Sequence, residues 1–174
     1  SVTGSVKDDL ITLNGTATTS YNQKITITDA TSTDLDVLAI AATAYTDLNL
    51  TGIEVLTNAA ALSINAGAIS GDTMTTKSAA ALTLKDTAGD DRINLGNISA
   101  YKDTVGVLTA TTNTDFIVTA DAGNDIITGL KVGGAAYTLG AGNDVLTIST
   151  GTNTVVTGAG NDTVELTGGS NTIT

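Results

Sequence analysis

Cysteine, histidine, proline and tryptophan are all missing from this 174-residue chain, and its aromatic content is four Tyr and one Phe. Without Cys or His there is no thiolate or imidazole chemistry, so zinc sites, Cys nucleophiles and His-based triads are excluded. A core built on large rings is excluded too. Basic residues are few, 7 against 18 acidic ones for a net charge of −11, which rules out holding nucleic acid or an anionic membrane through a basic patch. No apolar run approaches the roughly 18 residues that span a bilayer, so no membrane insertion is expected. Nothing at the N-terminus reads as a signal peptide. A start at Ser1 without Met, and an end in mid-pattern at Asn171–Thr174, lead us to expect a piece of a longer protein.

What is abundant is Val, Ile, Leu and Ala interleaved with Thr, a mixture suited to pleated, half-buried strands. Nineteen Gly with no Pro indicate tight turns repeated often rather than a disordered linker. The acidity has two readings, a solvated face or a cation site, and spacing has to decide between them.

The spacing is regular. Ala122-Gly123-Asn124-Asp125, Ala141-Gly142-Asn143-Asp144 and Ala159-Gly160-Asn161-Asp162 are three copies of one motif, with aspartates 19 and 18 residues apart. Midway between them lies a neutral motif, Gly151-Thr152-Asn153-Thr154 and Gly169-Ser170-Asn171-Thr172, again 18 apart. One coil is therefore two nine-residue halves, each a turn plus a short strand. The interval between Asp125 and Ala135 is one residue longer, and a single-residue bulge is expected within Gly129–Gly134. Period-2 alternation puts Ile127, Leu146 with Ile148, and Val164 with Leu166 inward on one strand, and Tyr137, Val155 and Ile173 inward on the other. Like then stacks on like.

Coil stacking would set equivalent aspartates about 4.8 Å apart. Two such carboxylates repel by roughly 3 kcal/mol at an effective dielectric of about 20. A row of them requires something cationic between the turns. Calcium suits this gap, since it is hard and takes roughly six to eight oxygen ligands, carboxylates mixed with carbonyls. Asn153 and Asn171 hold the equivalent neutral positions and are expected to stack as an amide ladder, leaving calcium on one edge only.

Gly140-Ala141-Gly142-Asn143-Asp144-Val145 and Gly158-Ala159-Gly160-Asn161-Asp162-Thr163 resemble the RTX nonapeptide repeat, Gly-Gly-x-Gly-x-Asp-x-apolar-x. The resemblance implies an all-β fold, a right-handed parallel β-solenoid (an RTX-like β-roll), with calcium between its turns. It assigns as ligands the side chains of Asp125, Asp144 and Asp162, with backbone oxygens around Gly123, Gly140, Gly142, Gly158 and Gly160. Two departures stand out: the first Gly is replaced by Leu139 and Thr157, and only alternate half-coils carry Asp. Thr87-Ala88-Gly89-Asp90-Asp91-Arg92-Ile93 is a degenerate copy that adds Asp91, 34 residues before Asp125 and so near two coils away. Lys7-Asp8-Asp9-Leu10 is a weaker trace of another.

On these grounds residues 85–174 form the calcium-binding roll. Residues 1–84 form a less regular, Thr/Ala-rich β segment, with one continuous solenoid as the alternative to two units. In the N-terminal part, Asp34-Leu35-Asp36-Val37-Leu38 followed by Gly52-Ile53-Glu54-Val55-Leu56 is similar to RTX-type surface-layer proteins of Gram-negative bacteria. Asp36 is a further candidate ligand. Ala39–Asp47 has fair helix propensity, but strand or irregular structure is expected there. The resemblance implies a secreted, non-enzymatic structural protein on a bacterial cell surface, self-associating into a lattice or filament with calcium rigidifying its coils. The alternative is an RTX stalk or ligand-binding region of a secreted adhesin. Regular Thr arrays also suggest ice binding, though no doublet ladder is evident. A plain solenoid without calcium, packed by Thr and aliphatic ladders, has almost the same fold.

Overall fold

The structure is a computed structural model that describes residues 2–3, 10–13, 20–21, 25–28, 35–41, 44–45 and 48–174. In chain order its strands begin with β1 (Val2–Thr3), β2 (Leu10–Leu13), β3 (Ser20–Tyr21), β4 (Ile25–Thr28), β5 (Val37–Ile40), β6 (Ala44–Tyr45), β7 (Leu48–Thr51), β8 (Val55–Asn58) and β9 (Leu62–Asn65). A 3-10 turn, Ala66–Ala68, comes next, followed by β10 (Met74–Ser78), β11 (Leu82–Lys85), β12 (Arg92–Asn94), β13 (Ile98–Thr104) and β14 (Val107–Ala110). The remainder are β15 (Phe116–Thr119), β16 (Ile126–Thr128), β17 (Ala136–Thr138), β18 (Val145–Ile148), β19 (Thr152–Val156), β20 (Thr163–Leu166) and β21 (Ser170–Ile173).

These strands wind a parallel β-solenoid of about seven turns. The first face stacks β2, β5, β8, β10 and β13. The second runs through the whole stack as β3, β6, β9, β11, β15, β17, β19 and β21. The third begins with β1, β4 and β7 and resumes with β12, β16, β18 and β20. The turn after β9 lies between these two groups: Ser70 Oγ accepts from the N–H of Asn94 at 2.9 Å, and the N–H of Gly71 donates to Asn94 O at 2.8 Å. Coils of three faces thus give way to coils of two. Among the described residues all the strand pairings are parallel except one, β13 with β14.

The alternation read from sequence generates the core. Ile64, Leu84, Val118, Tyr137 and Val155 form one inward column on the second face, each 1% exposed or less. Ile93, Ile127 and Leu146 form another on the third, each 2% exposed or less. Burying each such side chain stabilises the fold by about 1.5–3 kcal/mol. The expected inward residues of the last coil, Leu166 and Ile173, continue their columns but are 41% and 46% exposed. A third column records the narrowing of the coil. Leu62, Leu82 and Phe116 stack in register, and the next coils place Ala135 and then Asn153 there. Large apolar groups fill the three-sided interior, and small or polar ones line the two-sided one.

Two expectations need correction. The 34 residues from Asp91 to Asp125 are one coil, not two, because Ile93 pairs directly with Ile127. The extra length is the first-face strand β13 and its hairpin partner β14. Nor is the added residue in Gly129–Gly134 explained by a simple bulge. This stretch is the remnant of the first face, with Val132 bridged to Ser99 and the N–H of Lys131 donating to Ile98 O at 2.9 Å. Within Ala39–Asp47 the described residues are strand, in β5 and β6, or irregular, with no helix. The stack is unbroken across residues 84 and 85, since β11 pairs with β9 on one side and β15 on the other. Lys7, Asp8, Asp9 and Asp34 lie outside the described residues.

Candidate metal centre

Each repeat turn carries the chain from the second face to the third through Ala-Gly-Asn-Asp. Its alanines are bridged coil to coil, Ala122 to Ala141 to Ala159. The following glycine is obligatory: at Gly142 φ is 147°, and a Cβ would overlap the carbonyl oxygen of Gly123 in the neighbouring coil. Gly160 stands over Gly142 in the same way, and Gly140 and Gly158 are equally closed to a side chain. The carbonyl of Gly140 is taken up by the N–H of Ala159 at 2.9 Å. The glycines predicted as backbone ligands therefore sit at coil-to-coil contacts beside the acidic row.

Two side-chain ladders then run in opposite directions. On the outer one, the N–H of Asn143 donates to Asn124 Oδ1 at 2.8 Å and that of Asn161 to Asn143 Oδ1 at 2.9 Å, each bond reaching back one coil. On the inner one each bond reaches forward. The N–H of Asp91 donates to Asp125 Oδ1 at 2.9 Å, that of Asp125 to Asp144 Oδ1 at 2.8 Å, and that of Asp144 to Asp162 Oδ1 at 3.1 Å. All four predicted aspartates thus stand in one file. Asp125 and Asp144 are each 1% exposed, and the second carboxylate oxygen of each, Oδ2, is buried with no hydrogen-bond partner.

The file ends against an acid that sequence reasoning missed. Asp86 follows β11 directly and occupies the inward position that Ala120 and Leu139 take in the next coils. Its Oδ1 accepts from the N–H of Thr87 at 2.8 Å, and its Oδ2 is buried without a partner. Asp86, Asp91 and Asp125 each place a carboxylate oxygen within 4.8 Å of the others. Asp91 is steadied by Thr87, whose hydroxyl donates to Oδ2 at 2.8 Å. Among the described residues no basic side chain pairs with these acids; the ion pair there is Lys102 with Asp115, at 2.7 Å.

The electrostatic cost is visible in proton affinity. Burial pushes the Asp86 carboxyl up to about 7, with Asp91 and Asp125 adding to the rise against the opposing bond from Thr87. Asp125 is also raised, by burial first and then by the charges of Asp144, Asp91 and Asp90, although the N–H of Asp91 pulls it down. Inward carboxylates with open oxygens and no cationic partner are able to take up a proton or a metal ion. With oxygen as the only donor element, the set fits a hard divalent cation rather than a soft one.

Elsewhere the N–H of Asp36, itself fully buried, donates to Glu54 Oε2 at 2.9 Å, a two-residue version of the same ladder on the first face. The neutral row behaves as its sequence indicates. Asn153 Oδ1 accepts from the N–H of Ala135 at 2.9 Å, and Asn153 Nδ2 donates to Asn171 Oδ1 at 2.8 Å.

The molecule is in class a parallel β-solenoid with an acidic ladder at one corner. Comparison with protein-family models, with curated proteins and with solved structures gave no match.

Proposed function

We propose that this chain is a structural, calcium-stapled segment of a secreted bacterial surface-layer protein, non-enzymatic and assembling with copies of itself. The observation that carries the reading is the row of buried, unpartnered Oδ2 atoms on Asp86, Asp125 and Asp144. Asp86, Asp91 and Asp125 would hold one ion at the end of the file, and Asp144 and Asp162 would extend the row. Calcium fits better than magnesium because coil spacing, not an octahedral cage, fixes where the oxygens stand. Bound there, the ion supplies the positive charge the file lacks and ties each coil to the next. Sites built this way at extracellular affinity, Kd about 10⁻⁴ to 10⁻³ M, stay empty where calcium is scarce and fill after export.

Equilibrium dialysis against calcium, followed by metal analysis of the protein, tests the reading. Stoichiometric calcium that falls when Asp125 becomes Asn supports it. A protein that takes up no calcium at millimolar concentration overturns it. Negative-stain microscopy of the calcium-loaded chain, expected to show sheets or filaments, tests the assembly part.

A further inference from the structure

The hairpin β13–β14 is the one antiparallel element among the described residues, and the repeat pattern does not account for it. It projects from the first face and turns through Val105 and Gly106, both at positive φ (53° and 82°). The N–H of Gly106 donates to Asp103 Oδ1 at 2.8 Å and helps close the turn. A β-branched residue at positive φ is strained, and Val105 is also 100% exposed. Val107 and Leu108 are 63% and 44% exposed, and all of β14 is exposed.

β14 is also an edge: it pairs with β13 on one side and ends its sheet on the other. In a hairpin with a two-residue turn the flanking pair, here Thr104 and Val107, exchanges hydrogen bonds, and bonded pairs alternate from there. Lys102 with Thr109 is the next bonded pair, so the N–H and C=O of Leu108 and Ala110 turn outward. The bond from the N–H of Thr111 to Ala100 O, at 3.1 Å, keeps this alternation. Native edges are ordinarily blunted by Lys, Pro or a bulge. This one has none of them: the chain lacks Pro, residues 104–114 carry no charge, and Lys102 is engaged with Asp115.

We infer that β14 is a self-association edge, pairing antiparallel with β14 of a second copy about a two-fold axis at Thr109. Leu108 then faces Ala110 of the partner, and four main-chain hydrogen bonds form. Thr109 meets its own counterpart as a close, non-bonded cross-strand pair. Charge selects this occupant. Copies carrying −11 each repel wherever their acids meet, and β14 offers an uncharged strip, self-complementary in its backbone. The inference deepens the assembly part of the reading above by naming one surface for it, and it does not require calcium.

Sedimentation velocity on the intact chain, with calcium and with chelator, is the test. Wild-type protein is expected to dimerise. Leu108→Pro removes an outward N–H without touching the hairpin's own bonds, and is expected to raise the dimer dissociation constant about 30-fold or more. Because the chain has no Cys, Thr109→Cys gives one thiol and should oxidise readily to a disulfide dimer. Val105→Cys is the control, since the two tips would lie about 26 Å apart in the pairing. A monomeric wild type, a Leu108→Pro protein that dimerises unchanged, or equal cross-linking of both thiol variants overturns the inference. Calcium counted on the same samples tests the metal reading separately.

Discussion

Asp144 gives one carboxylate oxygen to the N–H of Asp125 at 2.8 Å, while its other oxygen is buried with no partner. Half of this side chain completes the backbone ladder and half is left for a ligand. Substitution separates the two roles.

Asp144→Asn keeps an oxygen for the Asp125 N–H and removes the charge. Its melting temperature in chelator is expected to match or exceed that of wild type, while calcium affinity falls at least about tenfold with the lost ligand charge. Asp144→Ala also orphans the buried N–H and is expected to cost about 1–3 kcal/mol even without calcium. Thermal melts of both variants in calcium and in EGTA check this.

Acidity distinguishes the metal-free protein from the loaded one. Asp86 rises from its ordinary 3.8 to about 7, so the folded state holds that proton more tightly than the unfolded one. Its contribution is fully present below the ordinary value and is lost as pH rises through about 7. Asp125 shifts the same way. Burial also raises Asp115, but bonds from Lys102 and Thr112 outweigh it, leaving that pKa lowered. The Asp115 contribution is lost only as pH falls below the ordinary carboxylate range. In EGTA, therefore, the melting temperature should drop between about pH 4 and about pH 7 and level off above that. Asp86→Asn should flatten that drop, and saturating calcium should reverse it by competing with the proton.

Glycines at positive φ differ in what surrounds them. Gly71 (φ 86°) has open space where a Cβ would go, so Gly71→Ala is expected to cost only the conformational strain, about 1–2 kcal/mol. Gly142→Ala drives a Cβ into the carbonyl of Gly123 as well, for a total of about 3 kcal/mol or more. Urea unfolding of the two variants measures the difference.

On the neutral row, Asn153→Ala strands the Ala135 N–H and breaks the bond to Asn171. A loss of about 2 kcal/mol is expected. Calcium stoichiometry by dialysis should not change.

Sequence was most informative where spacing was constant. The 18- and 19-residue repeats located the aspartate file, the asparagine row and the inward columns through Ile127 and Tyr137, because a two-sided coil leaves no room for insertions. It was least informative where a third face intervened. The coil from Asp91 to Asp125 carries an added strand and a hairpin, so length alone suggested two coils where there is one. Asp86 escaped because nothing in Lys85-Asp86-Thr87 repeats. What marks it is register, and only the pairing of Lys85 with Thr119 shows that the next residue turns inward. Glu54 stands in the Gly52–Leu56 segment that resembles a family strand, yet its bond to the Asp36 N–H depends on coil stacking that a string of residues does not display.

Thermal unfolding of the wild-type chain near neutral pH, in about 10 mM calcium and again after exhaustive EGTA dialysis, decides whether the ion is part of the fold. With about 10 mM calcium, roughly 10 to 100 times a Kd of about 10⁻³ to 10⁻⁴ M, the gain is about 1.4–2.7 kcal/mol per site, which raises the melting temperature by roughly 3–10 °C for a domain of this size. Magnesium at the same concentration should give a clearly smaller shift. Superimposable melts in calcium and in EGTA would contradict the account, because the buried carboxylates would then be satisfied by protons alone.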